Sequence, residues 1–350
     1  MQDLIQIFEE KLKKTELPSY DYFLPLLDSC ISILENESPS YRPLANDKKA
    51  GGLIDFSEKE ENIPVIIVPD LHGRGKFIID LLKYRFPVNQ KNPSLKTCEN
   101  LTVLQCLEKS LLYICCVGDI FHSETRGKER WVKAFEAYSH GNLVNDFMKA
   151  EMLENLSLLE MLLVLKSAFA SHFHILKGNH ENVLNEMRVK PFGNVPFRKF
   201  CDEGNMVADF LQNYYDDLIL HEINCFEKSL PVCAVFKNCI VSHAEPYETY
   251  TRKQIVNYHK EENSVVFGLT WTANDKAQSG SVESTMKNLL HKKNLENCIW
   301  IGGHRPVIGN YASRQGGKYI QIHNPDEENV AIVAPEEIFS TVHGIISVER

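Results

Sequence analysis

The chain has 350 residues, of which 43% are hydrophobic and 24% are charged. These fractions are typical of globular proteins, and they exclude a disordered, collagen-like or coiled-coil polypeptide. Lys and Arg number 38 against 47 Asp and Glu, and the net charge of -9 opposes electrostatic attraction to nucleic acid, which is therefore not an expected partner.

The N-terminal region, residues 1–60, alternates helical periodicity with turn signals. Apolar residues recur at helical spacing, first at Leu4, Ile7, Phe8 and Leu12 and again between residues 22 and 34. The opening sequence MQDLIQIFEEKLKK is charged and unlike a secretion signal, and no apolar run approaches the roughly 18 residues that cross a bilayer. We therefore expect a cytoplasmic protein without a membrane segment, in which a helical N-terminal extension over residues 1–60 precedes the main domain over residues 61–350.

Five short apolar runs follow, and each ends near a polar residue that can bind a metal ion. The runs cover residues 65–68, 113–117, 174–176, 238–241 and 298–301. Each run predicts a buried strand, and helical periodicity over residues 76–84 and 142–169 predicts helices between them. The alternation of strand and helix indicates an α/β fold. Residues 87–108 and 124–140 interrupt the spacing between strand ends, and we interpret them as surface insertions.

The polar residues at the ends of these runs form the candidate functional set. They are Asp70, His72, Asp119, Asn179, His180, His243 and His304. The carboxyl ends of strands meet at one edge of an α/β sheet, where ligands bind. Carboxylate, imidazole and amide groups suit two divalent or trivalent ions of Mn, Fe or Zn, and a carboxylate such as Asp119 can bridge two ions. The ten cysteines include no CxxC pair, so we expect reduced thiols rather than a thiolate site.

The order of these motifs resembles that of the calcineurin-like metallophosphoesterase superfamily. The matching segments are DLHG at 70–73, GD at 118–119, GNHE at 178–181, SHA at 242–244 and GGHRP at 302–306. The GNHE form and the LTWT segment at 269–272 are most similar to the serine/threonine protein phosphatases and the related diadenosine tetraphosphatases. The resemblance covers about residues 63–323. It implies a four-layer α/β/β/α metallophosphoesterase sandwich.

The resemblance also implies a role for each candidate residue. The implied metal ligands are Asp70 and His72 for the first ion, Asp119 for both ions, and Asn179, His243 and His304 for the second. His180 would be the general acid that protonates the leaving group. The implied enzyme is a hydrolase of a phosphorylated substrate, in which a metal-bound hydroxide attacks a phosphomonoester of a protein or a small molecule. Nothing in the sequence indicates a particular protein partner.

The second motif departs from the family pattern. The phosphatases carry GDxxDRG, in which the second Asp orients the acid histidine and the Arg binds phosphate. His122 and Ser123 stand at those positions here. Glu124 could replace the missing Asp, and His122 could contact His180 or lie at the surface. The candidate phosphate-binding residues are Arg126, Arg74 and Arg305.

Two other functions stay open at this point. The same centre could cleave dinucleoside polyphosphates or other nucleotides, and the missing Asp-Arg pair could mark a catalytically weakened binding scaffold. Metal content and turnover of an aryl phosphate separate the scaffold from the enzymes, and a panel of phosphopeptides and dinucleotides separates the two enzymes. We assign six other histidines to structural or surface positions; these are His172, His174, His221, His259, His291 and His323.

Overall fold

Two large β-sheets with helices on their outer faces make up the structure, a computed structural model that describes residues 2–186, 188–189, 193–194, 196–259, 264–290, 295–335 and 337–349. Within these residues the strands are β1 (Leu53–Asp55), β2 (Val65–Val68), β3 (Tyr113–Cys116), β4 (Phe173–Ile175), β5 (Arg188–Val189), β6 (Gly193–Asn194), β7 (Cys233–Val235), β8 (Cys239–Ser242), β9 (Ile299–Gly302), β10 (Ala312–Arg314), β11 (Tyr319–Gln321), β12 (Asn329–Val333) and β13 (Ile345–Ser347). The helices are α1 (Gln2–Leu12), α2 (Tyr20–Glu35), α3 (Gly75–Lys83), α4 (Pro93–Lys96), α5 (Val103–Glu108), α6 (Lys128–Ser139), α7 (Asp146–Ala168), α8 (Glu203–Tyr214), α9 (Asp217–Ser229), α10 (Arg252–Val256), α11 (Ser264–Thr270), α12 (Ser281–Leu290) and α13 (Thr341–Gly344).

The strand order places two sets of parallel strands at the centre of the molecule. The first sheet runs β13-β12-β2-β3-β4, and β2, β3 and β4 are parallel to one another. The second sheet runs β1-β7-β8-β9-β11-β10, and β8, β9 and β11 are parallel. Parallel strands end at a common edge of the sheet, so each sheet has three neighbouring carboxyl ends from which loops emerge.

Alternating side chains on the strands define the layers. Val65 and Ile67 of β2 are buried in the core between the two sheets, where they join Ile301 of β9. Ile66 and Val68, which point the other way because a strand alternates its faces, are buried in the core beneath the helices that include α3 and α7. A separate core lies between the second sheet and helices α10, α11 and α12. The predicted four-layer α/β/β/α sandwich is therefore confirmed.

The N-terminal residues pack into the same cores as the main domain. Phe8 of α1 and Phe23 of α2 are fully buried in the core that α3 and α7 share. Lys11 forms a buried ion pair with Glu160 of α7 at 2.5 Å. Strand β1 then pairs in parallel with β7, so the second sheet includes residues that the sequence analysis placed in the extension.

The predicted elements match the observed ones closely. The five apolar runs coincide with β2, β3, β4, β8 and β9, and the two predicted helices coincide with α3 and α7. The segments predicted as insertions contain α4, α5 and α6, from which Leu104 and Trp131 are buried in the core. None of the described helices is long and apolar enough to cross a membrane.

Candidate metal centre

The structure brings all seven candidate residues of the predicted centre into one cluster. Asp70 and His72 follow β2, Asp119 follows β3, Asn179 and His180 follow β4, His243 follows β8, and His304 follows β9. Six of them are buried, and His304 is partly buried. The cluster therefore lies where the carboxyl ends of the parallel strands of both sheets meet.

Hydrogen bonds between the loops fix their relative positions. The His72 backbone N–H donates to the Asp119 carbonyl at 2.7 Å, and the Gly303 N–H donates to the His243 carbonyl at 2.8 Å. The His304 N–H donates to Oδ2 of Asp70 at 2.9 Å. A side chain at Gly303 would make its Cβ overlap with Oδ1 of Asp70, so only glycine fits beside this carboxylate.

Glu181, the last residue of the GNHE segment, joins two of these loops. Its buried carboxylate accepts backbone N–H groups from Asp119 at 2.9 Å, Ile120 at 2.8 Å and Gly178 at 2.6 Å. Hydrogen bonds to a carboxylate are stronger than those to a neutral acceptor. Glu181 therefore holds the loop of Asp119 against the loop of Asn179 and His180.

Several residues in the cluster or next to it have a left-handed backbone conformation. The φ angles are 47° for His72, 54° for Asp119, 66° for His122 and 69° for His304. Non-glycine residues rarely adopt this conformation, and Asp and His are among those that tolerate it best. Such backbone strain concentrates at functional sites, where the surrounding structure holds it in place.

Three acceptor atoms converge around His243. Nδ1 of His243 lies 3.1 Å from the Val117 carbonyl, which can only accept, so Nδ1 carries the proton and Nε2 has a lone pair. Nε2 nevertheless lies 2.8 Å from Oδ1 of Asn179 and 3.4 Å from Oδ2 of Asp119, which are also acceptors. A divalent cation among these atoms would replace their mutual repulsion by coordination. Nδ1 of His304 completes the group at 2.9 Å from Oδ1 of Asn179.

A second group of ligand atoms surrounds His72. Nδ1 of His72 donates to the Phe121 carbonyl at 3.2 Å, which leaves the lone pair on Nε2. This Nε2 atom lies 3.7 Å from Oδ2 of Asp119 and 4.0 Å from Oδ2 of Asp70. Metal-binding histidines typically donate their other ring N–H to a carbonyl or carboxylate in this way. Both His72 and His243 thus have the tautomer that a metal ion requires.

The charges in the cluster also suit metal ions. Burial, with the neighbouring Asp70 and Glu181 carboxylates, raises the pKa of Asp119 well above its usual range. Burial lowers the pKa of His72 to about 4, and it also lowers the pKa of His243, so both rings are neutral at neutral pH. Among the described residues, the basic side chains within 4.0 Å of the Asp70 and Asp119 carboxylates are histidines. A bound cation would favour the anionic form of Asp119, which burial disfavours.

His122 lies in contact with His180. Their Nδ1 atoms are 2.7 Å apart, and both rings are buried. Burial lowers the pKa of His122 to about 3, and burial together with the charges of His122 and His72 lowers the pKa of His180 well below its usual value. The ring of Phe197 packs against His180 with the ring centroids 3.9 Å apart. His122 therefore stands where the sequence analysis expected a residue that orients the acid histidine.

Glu124 contacts other residues than His180. Its Oε2 atom accepts from Nε2 of His323 at 3.0 Å, and its Oε1 atom lies 3.1 Å from Nζ of Lys199. Of the two residues considered as replacements for the missing Asp, the contacts favour His122.

His323 lies beside the cluster, although the sequence analysis assigned it to a structural or surface position. It follows β11, is fully buried, and its Nδ1 atom lies 3.8 Å from Oδ2 of Asp70. Of the two positions considered, the burial of the side chain excludes the surface position. The apolar run YIQI before His323 is the same signal that identified the other strand ends, but no family motif ends there. Of the other histidines in that assignment, His291 lies outside the described residues.

The three candidate arginines differ in what they contact. Arg74 donates to the backbone carbonyls of Asp70, Leu71, Asn324 and Glu327. Arg126 donates to the His72 carbonyl at 2.9 Å and to the Glu154 carboxylate at 2.6 Å. Both guanidinium groups therefore brace the loop that carries Asp70 and His72, and their contacts do not support phosphate binding. Arg305 is exposed at the cavity beside the cluster.

A cavity of about 330 Å³ opens onto the cluster. Besides the cluster residues, its lining includes Phe197, Arg198, Lys199, Trp271 and Arg305. Glu203 at the start of α8 is buried and accepts the backbone N–H groups of Lys199 at 2.9 Å and Phe200 at 2.6 Å. These hydrogen bonds fix the backbone of Lys199 at the cavity. The ammonium group of Lys199 is a cation that the sequence analysis missed.

Comparison with known proteins identifies the fold. No family model matches the sequence, and no curated protein matches it. A solved protein serine/threonine phosphatase from Saccharomyces cerevisiae, described as similar to human phosphatase PP5, is similar in structure with a TM-score of 0.56 and 12% sequence identity over 94% of this chain and 89% of that chain. Two further solved structures also match. One is a cold-active protein tyrosine phosphatase, with a TM-score of 0.40 and 12% sequence identity over 85% of this chain and 78% of that chain. The other is a putative diadenosine tetraphosphatase, with a TM-score of 0.39 and 14% sequence identity over 85% of this chain and 97% of that chain. The resemblance to the calcineurin-like metallophosphoesterases is thus confirmed at the level of the fold.

Proposed function

We propose that this protein is a metallophosphoesterase that hydrolyses a phosphomonoester, of a protein or a small molecule, at a centre of two metal ions. The observation that carries the proposal is the convergence of ligand atoms from both sheets beside one cavity. Of these, Nε2 of His243 lies 2.8 Å from Oδ1 of Asn179, a contact between two acceptors that a cation would relieve. The motif order in the sequence supports the same chemistry.

The ligands divide into two sets that share Asp119. Asp70 and His72 would hold the first ion, and Asn179, His243 and His304 would hold the second. When bound, Mn, Fe or Zn ions supply Lewis acidity, which lowers the pKa of water and neutralises charge on phosphoryl oxygens. The buried hydrogen bonds of the loops would keep the two ligand sets at a fixed separation.

His180 would act as the general acid. Its Nε2 atom is on the side of Asp119, at 3.7 Å from Oδ2, and its Nδ1 atom is held by His122. Because burial lowers its pKa, the free ring is neutral at neutral pH, and a bound phosphoryl dianion would favour its protonated form. The Nε2–H bond would then break as the proton passes to the leaving oxygen, which departs as an alcohol.

Lys199 and Arg305 would bind the phosphoryl oxygens in place of the missing motif arginine. Both line the cavity, where the side chain of Arg305 is exposed. Lys199 faces Glu124, so a phosphoryl group would compete with this carboxylate for the ammonium group. Hydrogen bonds between a cation and a phosphoryl oxygen are among the strong ones in proteins.

The proposal is tested by a substrate panel on the Mn²⁺-loaded protein. The panel contains an aryl phosphate, phosphoserine, phosphothreonine and phosphotyrosine peptides, and diadenosine tetraphosphate, each compared with the Asp119→Asn variant. We expect release of inorganic phosphate from the monoesters by the wild type and a large loss in the variant. Preferential cleavage of the dinucleotide would assign the protein to nucleotide hydrolysis instead. Metal binding without turnover of any substrate would indicate a binding scaffold.

A further inference from the structure

His323 is a buried imidazole with one ring nitrogen that no described residue satisfies. Its side chain is fully buried at the end of β11, and Nδ1 has no hydrogen-bond partner among the described residues. A buried polar atom without a partner destabilises a protein. This nitrogen faces Oδ2 of Asp70 at 3.8 Å and is therefore available as a ligand atom.

We infer that His323 is a ligand of the first metal ion, together with Asp70 and His72. The inference rests on the proposed metal centre and adds a ligand to it. Ligand atoms of the three residues all lie within 4.8 Å of one another. Nδ1 of His323 is 3.8 Å and Nε2 of His72 is 4.0 Å from Oδ2 of Asp70. Two ligands that are each about 2.1 Å from an ion lie at most about 4.2 Å apart, so these distances fit a shared ion.

The hydrogen bond of His323 to Glu124 supports this role. Nε2 donates to the Glu124 carboxylate at 3.0 Å, because a carboxylate at neutral pH only accepts, and Nδ1 is then the ring nitrogen that faces Oδ2 of Asp70. A carboxylate that holds the far nitrogen of a histidine is a common support for metal ligands. His72 and His243 are held in the same way by the carbonyls of Phe121 and Val117.

Glu124 thereby becomes a residue that positions a ligand. Its two carboxylate oxygens are divided between His323 and Lys199, at 3.0 Å and 3.1 Å. The carboxylate connects the first metal site to the cation that faces the cavity. Loss of the Glu124 negative charge would weaken the hold on the His323 ring.

The test measures Mn²⁺ binding alone, by equilibrium dialysis and elemental analysis of metal-stripped protein. The variants are His323→Ala and Glu124→Gln, with His174→Ala as the matched control, because His174 is also buried but contacts Glu37 away from the cluster. At a concentration that gives the wild type two ions per chain, we expect one ion for His323→Ala and two for His174→Ala. For Glu124→Gln we expect a roughly 10- to 100-fold weaker affinity at one site.

The possible outcomes separate this inference from the proposed function. Two ions bound by His323→Ala with the affinity of the wild type would overturn the inference and leave the proposed function standing. No ion bound by the wild type would overturn both. If His323→Ala does not fold, as judged by circular dichroism, Glu124→Gln decides, and an unchanged affinity in that variant would overturn the inference.

Discussion

Replacing Glu181 by alanine should strongly destabilise the protein, because this carboxylate joins the two loops that carry Asp119 and Asn179. The substitution removes the acceptor of three buried backbone N–H groups, those of Asp119, Ile120 and Gly178. A buried donor that loses its partner costs roughly 1 to 3 kcal/mol, so three of them sum to about 3 to 9 kcal/mol. Water entering the vacated space would satisfy some of them, and we expect a loss of about 4 kcal/mol in the free energy of unfolding.

The Glu181→Gln variant should lose only part of this stability. One amide oxygen can replace Oε2, which accepts from Asp119 and Gly178, but the amide NH₂ then faces the N–H of Ile120. One donor instead of three is left unsatisfied, so we expect a loss of roughly 1 to 3 kcal/mol. The order of stability should be wild type, then glutamine, then alanine.

The assay is urea unfolding of the metal-free proteins, followed by circular dichroism. The matched control is Glu186→Ala, which removes an exposed ion pair with Lys228, where both side chains are about half exposed. Such pairs contribute about 0 to 1 kcal/mol. If the stability of Glu181→Ala is within about 0.5 kcal/mol of that of Glu186→Ala, on the order of the experimental error, the hydrogen bonds of Glu181 do not hold the loops together.

Three further variants test the chemistry of the cluster. His180→Ala should lower kcat by about 10²- to 10⁴-fold for alkyl phosphates, and by less for aryl phosphates with good leaving groups, while the metal content stays unchanged. Equal losses of kcat on both classes of substrate would exclude acid catalysis by this residue. Lys199→Met should lower kcat/KM by about 10- to 100-fold, the loss of a charged hydrogen bond, whereas Lys128→Met near the same Phe200 ring should leave it unchanged. Gly303→Ala should lower the metal content, because the added Cβ would overlap with Oδ1 of Asp70 and displace this carboxylate. A metal content equal to that of the wild type would contradict the packing argument.

The strand ends and the candidate residues that follow them could be predicted from the sequence because each signal is local. An apolar run followed by Asp, Asn or His identifies β2, β3, β4, β8 and β9, and the carboxyl ends of parallel strands meet whatever the loops do. His323 also follows a mainly apolar run, which Gln321 interrupts, but no family motif marks it, so the comparison of motifs assigns it elsewhere. The apolar run is therefore a more general signal than the motifs for a polar residue at this sheet edge.

Arg305 at the cavity could be predicted from its place beside His304, but Lys199 could not, because the direction of a long side chain depends on its three-dimensional surroundings. Arg74 and Arg126 are near ligands in the sequence, but backbone carbonyls and Glu154 take up their guanidinium groups. Lys199 lies well beyond the GNHE segment in the chain, and no motif marks it as a site residue. Its place at the cavity depends on a buried glutamate, Glu203, which fixes its backbone.

His122 shows the same limit in a different form. The sequence shows that a histidine replaces the expected Asp of the second motif, but it leaves open whether that side chain is buried or exposed. In the structure it is buried against His180, with the two Nδ1 atoms 2.7 Å apart. The contact depends on how the loop after β3 bends, and the left-handed backbone of His122 is part of that bend.

The measurement that tests the dinuclear phosphoesterase centre most directly is a titration of metal-free protein with Mn²⁺. Bound metal and hydrolysis of an aryl phosphate are measured in the same samples, for the wild type and for Asp119→Asn. We predict no turnover without metal, turnover that rises with binding to a maximum at two ions per chain, and neither full occupancy nor turnover in the variant. Full turnover by the metal-free protein, or two bound ions without phosphoester hydrolysis, would contradict the proposed centre.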